Sequence, residues 1–239
     1  MSAARTFVVP DAHGKLGLVH RLLREQDILG DNASRVDRET TVVQLGDLCN
    51  CVPESVDDDL RCLDRAPEWF DVYLVGNHEH PYLGGPRFSG FYSDPEIAHR
   101  LKLLYSKGLL QAAYAADGIL VTHAGVGAAW QRSLDRRTAA GAASRLNKLW
   151  RARPTAELFG CIGRSRGGSS PTGGILWADW SEPKSDAFSQ IVGHTVGDQP
   201  RWQKHAEGKF AVCIDLGGTT TMVGAWITDG KVELVRAGE

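Results

Sequence analysis

Six side chains able to hold a divalent cation stand just after short apolar runs. They are Asp11 and His13 in Pro10-Asp11-Ala12-His13-Gly14, Asp47 after Gly46, Asn77 after Gly76, His123 after Thr122 and His194 after Gly193. Asp11 and His13 lie two apart, so an extended segment would point both to the same side. The Asp47 carboxylate has two oxygens and could bridge two cations. Asn77 offers an amide oxygen, and His123 and His194 offer neutral imidazoles. This mixture of hard oxygens and nitrogens suits Mn²⁺, Fe or Zn²⁺ better than Ca²⁺, and six ligands on five loops suit two ions. Singly, each residue has a local explanation: Asp and Asn favour turns and helix caps, and a lone histidine after a strand is more often a satisfied polar group. The joint pattern, five polar clusters each ending an apolar run, is what argues for a site.

The elements that must position these residues can be read from the same runs. Thr6 to Val9, Thr41 to Leu45, Val72 to Val75, Ile119 to Thr122 and Gln190 to Val192 are short, continuous and apolar, as buried strands are. Leu16, Leu18, Val19, Leu22 and Leu23 recur at helical spacing within Leu16 to Gln26, which predicts a β-α-β unit between the first two strands. Further helices are expected over Val56 to Arg65, Pro95 to Lys107 and Thr138 to Arg151. Strand-like stretches Ala211 to Asp215, Thr220 to Thr228 and Lys231 to Val235, separated by Gly-rich or Asp-Gly turns, predict a hairpin or meander at the C-terminal end. Gly160 to Gly174 is one Gly/Ser-rich loop. In an α/β sheet the loops at the carboxyl ends of strands converge on one crevice, so ligands distant in sequence can meet there. No repeat and no domain boundary is visible, and residues 1–239 are expected to form a single domain.

Taken in order, Asp11-Ala12-His13-Gly14, Gly46-Asp47, Gly76-Asn77-His78-Glu79, His123-Ala124-Gly125 and Gly193-His194-Thr195 resemble the motif set of the calcineurin-like metallophosphoesterases. The likeness spans nearly the whole chain. It implies an α/β fold of two packed mixed β-sheets flanked by helices, with a dimetal site at strand ends. With one histidine in the last motif, the chain is more similar to the phosphoprotein phosphatase branch, which includes phage phosphatases and diadenosine tetraphosphatases. By resemblance, Asp11 and His13 would bind one metal, Asp47 would bridge, and Asn77, His123 and His194 would bind the second, with Mn²⁺ expected. His78 would be the catalytic histidine. Two cations about 3.5–4 Å apart can activate a bridging water and clamp an in-line displacement, while the leaving alkoxide still needs a general acid.

The second motif departs from that branch, which usually continues Gly-Asp-x-x-Asp-Arg-Gly. Asn50 stands where an aspartate normally pairs with the catalytic histidine, and Cys51 where an arginine normally grips the substrate phosphate. Losing a bidentate cation weakens the hold on a phosphomonoester dianion more than on a diester. The expected substrate therefore shifts toward phosphodiesters or cyclic nucleotides. A phosphoprotein or dinucleoside tetraphosphate is the alternative, and a noncatalytic metal-binding scaffold is the reading from another class. Arg164 and Arg166, in the Gly/Ser-rich loop, could supply the missing clamp. Trp177 and Trp180 are expected to pack rather than to stack on a base.

Composition sets the outer limits. A chain of 239 residues, 42% hydrophobic and 23% charged, belongs with folded globular proteins. A formal net charge of −2 offers no electrostatic footprint for nucleic acid or an anionic membrane. No apolar run reaches the roughly 18 residues of a membrane span. Five cysteines without structural-zinc spacing, and an N-terminal stretch without the pattern of a signal peptide, lead us to expect a reducing cytoplasm.

Overall fold

The apolar runs become the inner strands of two mixed β-sheets. The computed structural model describes residues 5–134, 137–218 and 220–238. In chain order the strands are β1 (Thr6–Val9), β2 (Thr41–Gln44), β3 (Val72–Leu74), β4 (Leu110–Gln111), β5 (Tyr114–Ala116), β6 (Ile119–Val121), β7 (Ser189–Val192), β8 (Arg201–Lys204), β9 (Phe210–Cys213), β10 (Met222–Thr228) and β11 (Lys231–Ala237). The longer helices are α1 (Leu16–Glu25), α2 (Val56–Trp69), α3 (Pro95–Ser106), α4 (Ala128–Leu134) and α5 (Ala139–Ala152). One sheet runs β11-β10-β1-β2-β3-β4 and the other β5-β6-β7-β9-β8. β1 to β4 are mutually parallel, as are β6, β7 and β9, with antiparallel strands at the flanks.

The period of two along each strand builds the layers. Val8, Val43, Val72, Leu74, Ile119, Val121, Ile191 and Val212 share one core with contributions from both sheets. The alternate residues Phe7, Val9, Val42, Tyr73 and Leu120 join a second core with α1, α2, α3 and α5. Strands buried on both faces read as continuous apolar runs, which is why they were visible in the sequence. Each fully buried Val, Leu or Ile contributes about 1.5–3 kcal/mol by area.

The predicted helices are present with small shifts. α2 continues through Pro67 to Trp69 because Ala66 and Trp69 complete its buried face. Thr138 caps α5, accepting the Gly141 N–H at 3.2 Å. Asp94 caps α3 through the Glu96 and Ile97 N–H groups. The C-terminal expectation needs one correction. β10 and β11 form the hairpin, through Asp229-Gly230, but β9 pairs with β7 and β8 in the opposite sheet. The segment around Leu216 to Gly218, which reads as a hairpin turn, is a crossing between sheets. No described helix is long and apolar enough to cross a membrane.

Candidate metal centre

The carboxyl ends of β1, β2, β3, β6 and β7 open on one side of the sandwich and carry Asp11, Asp47, Asn77, His123 and His194 in turn. The local backbone is unusual there. His13 (φ 46°), Asp47 (φ 47°), Cys51 (φ 56°) and His194 (φ 68°) all adopt the left-handed region that favours glycine. Strain of this kind persists where surrounding structure over-determines it, and it clusters at functional sites. Two glycines make room: a Cβ on Gly76 would lie 2.0 Å from Asp47 Oδ1, and one on Gly193 would lie 2.0 Å from Asp11 Oδ1.

His123 Nε2 is the focus of the cluster. It lies 3.0 Å from Asn77 Oδ1, 3.1 Å from His194 Nδ1 and 3.6 Å from Asp47 Oδ2. On the other side of Asp47 Oδ2, at 3.8 Å each, are His13 Nε2 and His78 Nε2. Two groups with ligand atoms within 4.8 Å of one another therefore share Asp47: His13 with His78, and His123 with His194. Asp11 Oδ2 accepts the His194 N–H at 2.8 Å and lies 3.9 Å from His123 Nδ1. Asp11 Oδ1, His13 Nδ1 and His194 Nε2 are buried without a hydrogen-bond partner among the described residues. Orphaned atoms of this kind cost free energy unless something else satisfies them. A donor set of carboxylates, an amide oxygen and imidazoles fits divalent cations.

The titration behaviour agrees with that fit. Burial, then Asp215 and Asp47, push the Asp11 carboxyl well above the usual carboxylate range. Burial also raises Asp47, with Asp215 adding to it. Burial followed by His78 lowers His13 to about 3, and burial holds His123 and His194 well below the usual imidazole value. Neutral imidazoles beside carboxylates short of positive charge are what a cation would stabilise.

Glu79 holds the cluster from beneath. Its carboxylate accepts the backbone N–H groups of Asp47 (3.0 Å), Cys49 (3.0 Å) and Gly76 (2.9 Å), tying the loop after β2 to the loop after β3. Asp59 does the same for the next turn, accepting from Asn50 N, Cys51 N and Ser55 Oγ.

The residues expected to face substrate are placed less uniformly. His78 Nδ1 bonds the backbone carbonyl of Asn50 at 2.6 Å. A carbonyl only accepts, so Nδ1 carries the proton and Nε2 faces Asp47. Asn50 thus engages His78 through its main chain, which corrects the expectation of a side-chain amide in an aspartate's role. Asn50 also lines a cavity of about 570 Å³ beside His13, with Lys15, Ser55 and Arg61. Cys51 does not stand open to substrate; it is 1% exposed and belongs to the helix-side core. Arg166 reaches the cluster: Nη2 donates to Thr195 Oγ1 (2.6 Å) and His194 O (3.3 Å), and Nε lies 3.0 Å from Asp179 Oδ2. Arg164 is exposed in the same turn, and no described contact ties its side chain to the cluster. Trp177 is buried in the core, as expected, and Trp180 is half-buried.

Asp215 escaped the sequence reading although it also ends an apolar run, at Ile214. It is 1% exposed, accepts Gly217 N–H through Oδ1 at 2.7 Å, and leaves Oδ2 without a hydrogen-bond partner among the described residues.

Compared by sequence, the chain matches no family model and no curated protein. Solved structures do match its fold. A cold-active protein-tyrosine phosphatase from a psychrophilic Shewanella species superposes with a TM-score of 0.64 at 19% identity, over 98% of this chain and 80% of that one. A protein assigned as a diadenosine tetraphosphatase matches with a TM-score of 0.54 at 17% identity, over 99% and 95%. A protein serine/threonine phosphatase from Saccharomyces cerevisiae matches at 0.51 and 15%, over 99% and 80%. The chain shares the fold of these structures, two mixed sheets flanked by helices.

Proposed function

We propose that the protein is a metal-dependent hydrolase of phosphate esters, working at the cluster around Asp47. The observation that carries this reading is the sharing of Asp47 Oδ2 by two groups of ligand atoms drawn from both sheets. Asp11 and His13 would hold one cation, Asn77, His123 and His194 the other, and Asp47 both, with Mn²⁺ first among Mn²⁺, Fe and Zn²⁺. When bound, such a pair supplies Lewis-acid charge and lowers the pKa of water. The chain's own residues do the rest. Arg166, steadied by Asp179 and Thr195, holds the phosphate. His78, with its Nδ1–H fixed on the Asn50 carbonyl, takes up a second proton at Nε2 and gives that proton to the leaving oxygen, returning to the neutral Nδ1–H imidazole. The cavity beside His13 seats part of the substrate.

Only Arg166 of the two loop arginines approaches the cluster, and Asp179 offsets part of its charge. A single shared guanidinium favours the less charged phosphodiester or cyclic nucleotide over a phosphomonoester dianion. A monoester or anhydride substrate, phosphoprotein or dinucleoside tetraphosphate, is the second reading, because Arg166 does restore a cation that position 51 lacks. Five unbridged, buried cysteines fit a cytoplasmic setting.

The test compares p-nitrophenyl phosphate with bis-p-nitrophenyl phosphate, then cyclic nucleotides, diadenosine tetraphosphate and a phosphopeptide, in Mn²⁺. His78→Ala should keep its metal and lose about 10²–10⁴ in turnover, the usual worth of a general acid. Asp47→Ala should lose metal and turnover together. Full metal-dependent hydrolysis by Asp47→Ala would overturn the assignment. Wild-type protein that binds Mn²⁺ and cleaves none of these esters is instead a noncatalytic scaffold.

A further inference from the structure

A hydrogen bond through a single ring nitrogen fixes where His78 Nδ1 sits but leaves the ring plane able to tilt through χ1 and χ2. What removes that freedom is an aromatic ring. Phe88 stacks on the His78 imidazole with centroids 4.1 Å apart and planes 28° apart, while the His13 ring meets it edge-on at 4.8 Å. The His78 side chain is 17% exposed, so Phe88 and His13 leave it a narrow opening. Phe91 in turn braces Phe88 edge-to-face at 5.6 Å.

The segment bearing these rings is fastened to the same strip of chain that anchors His78. Tyr92 N–H donates to the Cys51 carbonyl at 2.8 Å, Tyr82 Oη donates to the Tyr92 carbonyl at 3.0 Å, and Phe91 N–H donates to the Phe88 carbonyl at 3.2 Å. Asn50 and Cys51, adjacent in sequence, thus hold the ring and its cover together.

Building on the proposed hydrolysis, we infer that Phe88 is a positioning residue for His78: its face locks the imidazole plane so that Nε2 aims at the leaving-group oxygen. The neutral carbonyl of Asn50 cannot orient the ring by charge, and the stack does so by shape. Stacked rings attract beyond the area they bury, which favours one ring orientation.

The test uses the leaving group. Phe88→Leu keeps apolar bulk but has no flat face, and Phe88→Tyr restores one. In whichever ester class the wild type hydrolyses, Phe88→Leu should lose about tenfold more kcat on the phenyl ester than on the 2,4-dinitrophenyl ester. The latter leaves without a proton, whereas a general acid is worth about 10²–10⁴ when one is needed. KM should stay level, Phe88→Tyr should recover the phenyl rate, and Phe88→Leu should cost nothing further in a His78→Ala background. A readout independent of turnover is the His78 Nδ1 proton by NMR in the metal-free protein, which should exchange faster with water in Phe88→Leu. Equal losses on both esters, additive losses with His78→Ala, or an unchanged exchange rate would each overturn the inference. A wild type inactive on every ester would sink the hydrolase reading and leave the exchange measurement to decide the role of Phe88.

Discussion

Glutamine in place of Glu79 would test how the cluster is held. Two N–H groups, from Asp47 and Gly76, converge on Oε2, and a third, from Cys49, points at Oε1. A carboxylate accepts at both oxygens, whereas glutamine accepts at one. If the amide oxygen keeps the pair, the NH₂ group confronts the Cys49 N–H, donor against donor, in a site 1% exposed. A hydrogen bond to a charged group is worth about 1.5–3 kcal/mol and an unsatisfied buried donor costs about 1–3 kcal/mol. Removing a buried charge returns part of this, so Glu79→Gln should lose about 2–4 kcal/mol. For a chain of this length each kcal/mol shifts the melting temperature by about 2–4 °C, which makes about 5–15 °C in all. Burial and Asp47 push Glu79 up to about 7, so the melt belongs in mildly alkaline buffer, where the wild-type group is ionised. Circular dichroism melts with a chelator present read the change, and a Mn²⁺ titration should show weakened binding as the Asp47 loop loses its tie. Melting and Mn²⁺ affinity both indistinguishable from wild type would refute the reasoning.

Gly193→Ala sets a Cβ 2.0 Å from Asp11 Oδ1. Gly193 is not among the positive-φ residues, so the effect is steric: Mn²⁺ binding should fall sharply and stability by about 1–3 kcal/mol, read by titration calorimetry and denaturation. The buried carboxyls of Asp11 and Asp47 are pushed above the carboxylate range of an unfolded chain. The metal-free native state then binds more protons than the unfolded state, and its stability should fall as pH rises from that range up through the raised values of the folded state. Cations must displace those protons, so Mn²⁺ affinity should rise with pH, with proton release measurable by calorimetry in buffers of different ionisation heat. Affinity independent of pH would contradict the raised carboxyls.

The legible parts of this molecule are those where burial is two-sided and abrupt. β1, β2, β3, β6 and β7 could be read because Val8 and Phe7 alike are buried, and because each run stops at a polar residue. β8 was hidden: it is an edge strand with Arg201, Gln203 and Lys204 in it and an exposed Trp202. β5, with three half-buried residues, was equally silent. Which sheet receives β9 depends on pairing partners far away in the chain, which no local signal carries. At the site, side chains were readable by type, but main-chain chemistry was not. Nothing in the letters at position 50 says that its carbonyl, rather than its amide, meets His78. Glu79 and Phe88 were hidden for a related reason, since their importance lies in what they touch. Asp215 was within reach, because it ends an apolar run as Asp11 and Asp47 do.

The placing of β10 has a consequence for the order in which the chain can acquire its working form. β1, the strand that carries Asp11, lies between β2 and β10, and three pairs, Thr6 with Ile227, Phe7 with Trp226 and Val8 with Ala225, zip it to a segment more than two hundred residues later. During synthesis one edge of β1 stays bare until that segment emerges. Contacts of such high sequence separation form slowly, and unpaired edges invite wrong partners meanwhile. The first residue of the cluster in sequence is thus among the last to be set in place, and a ribosome stalled before residue 222 would present strands with nothing yet to close them.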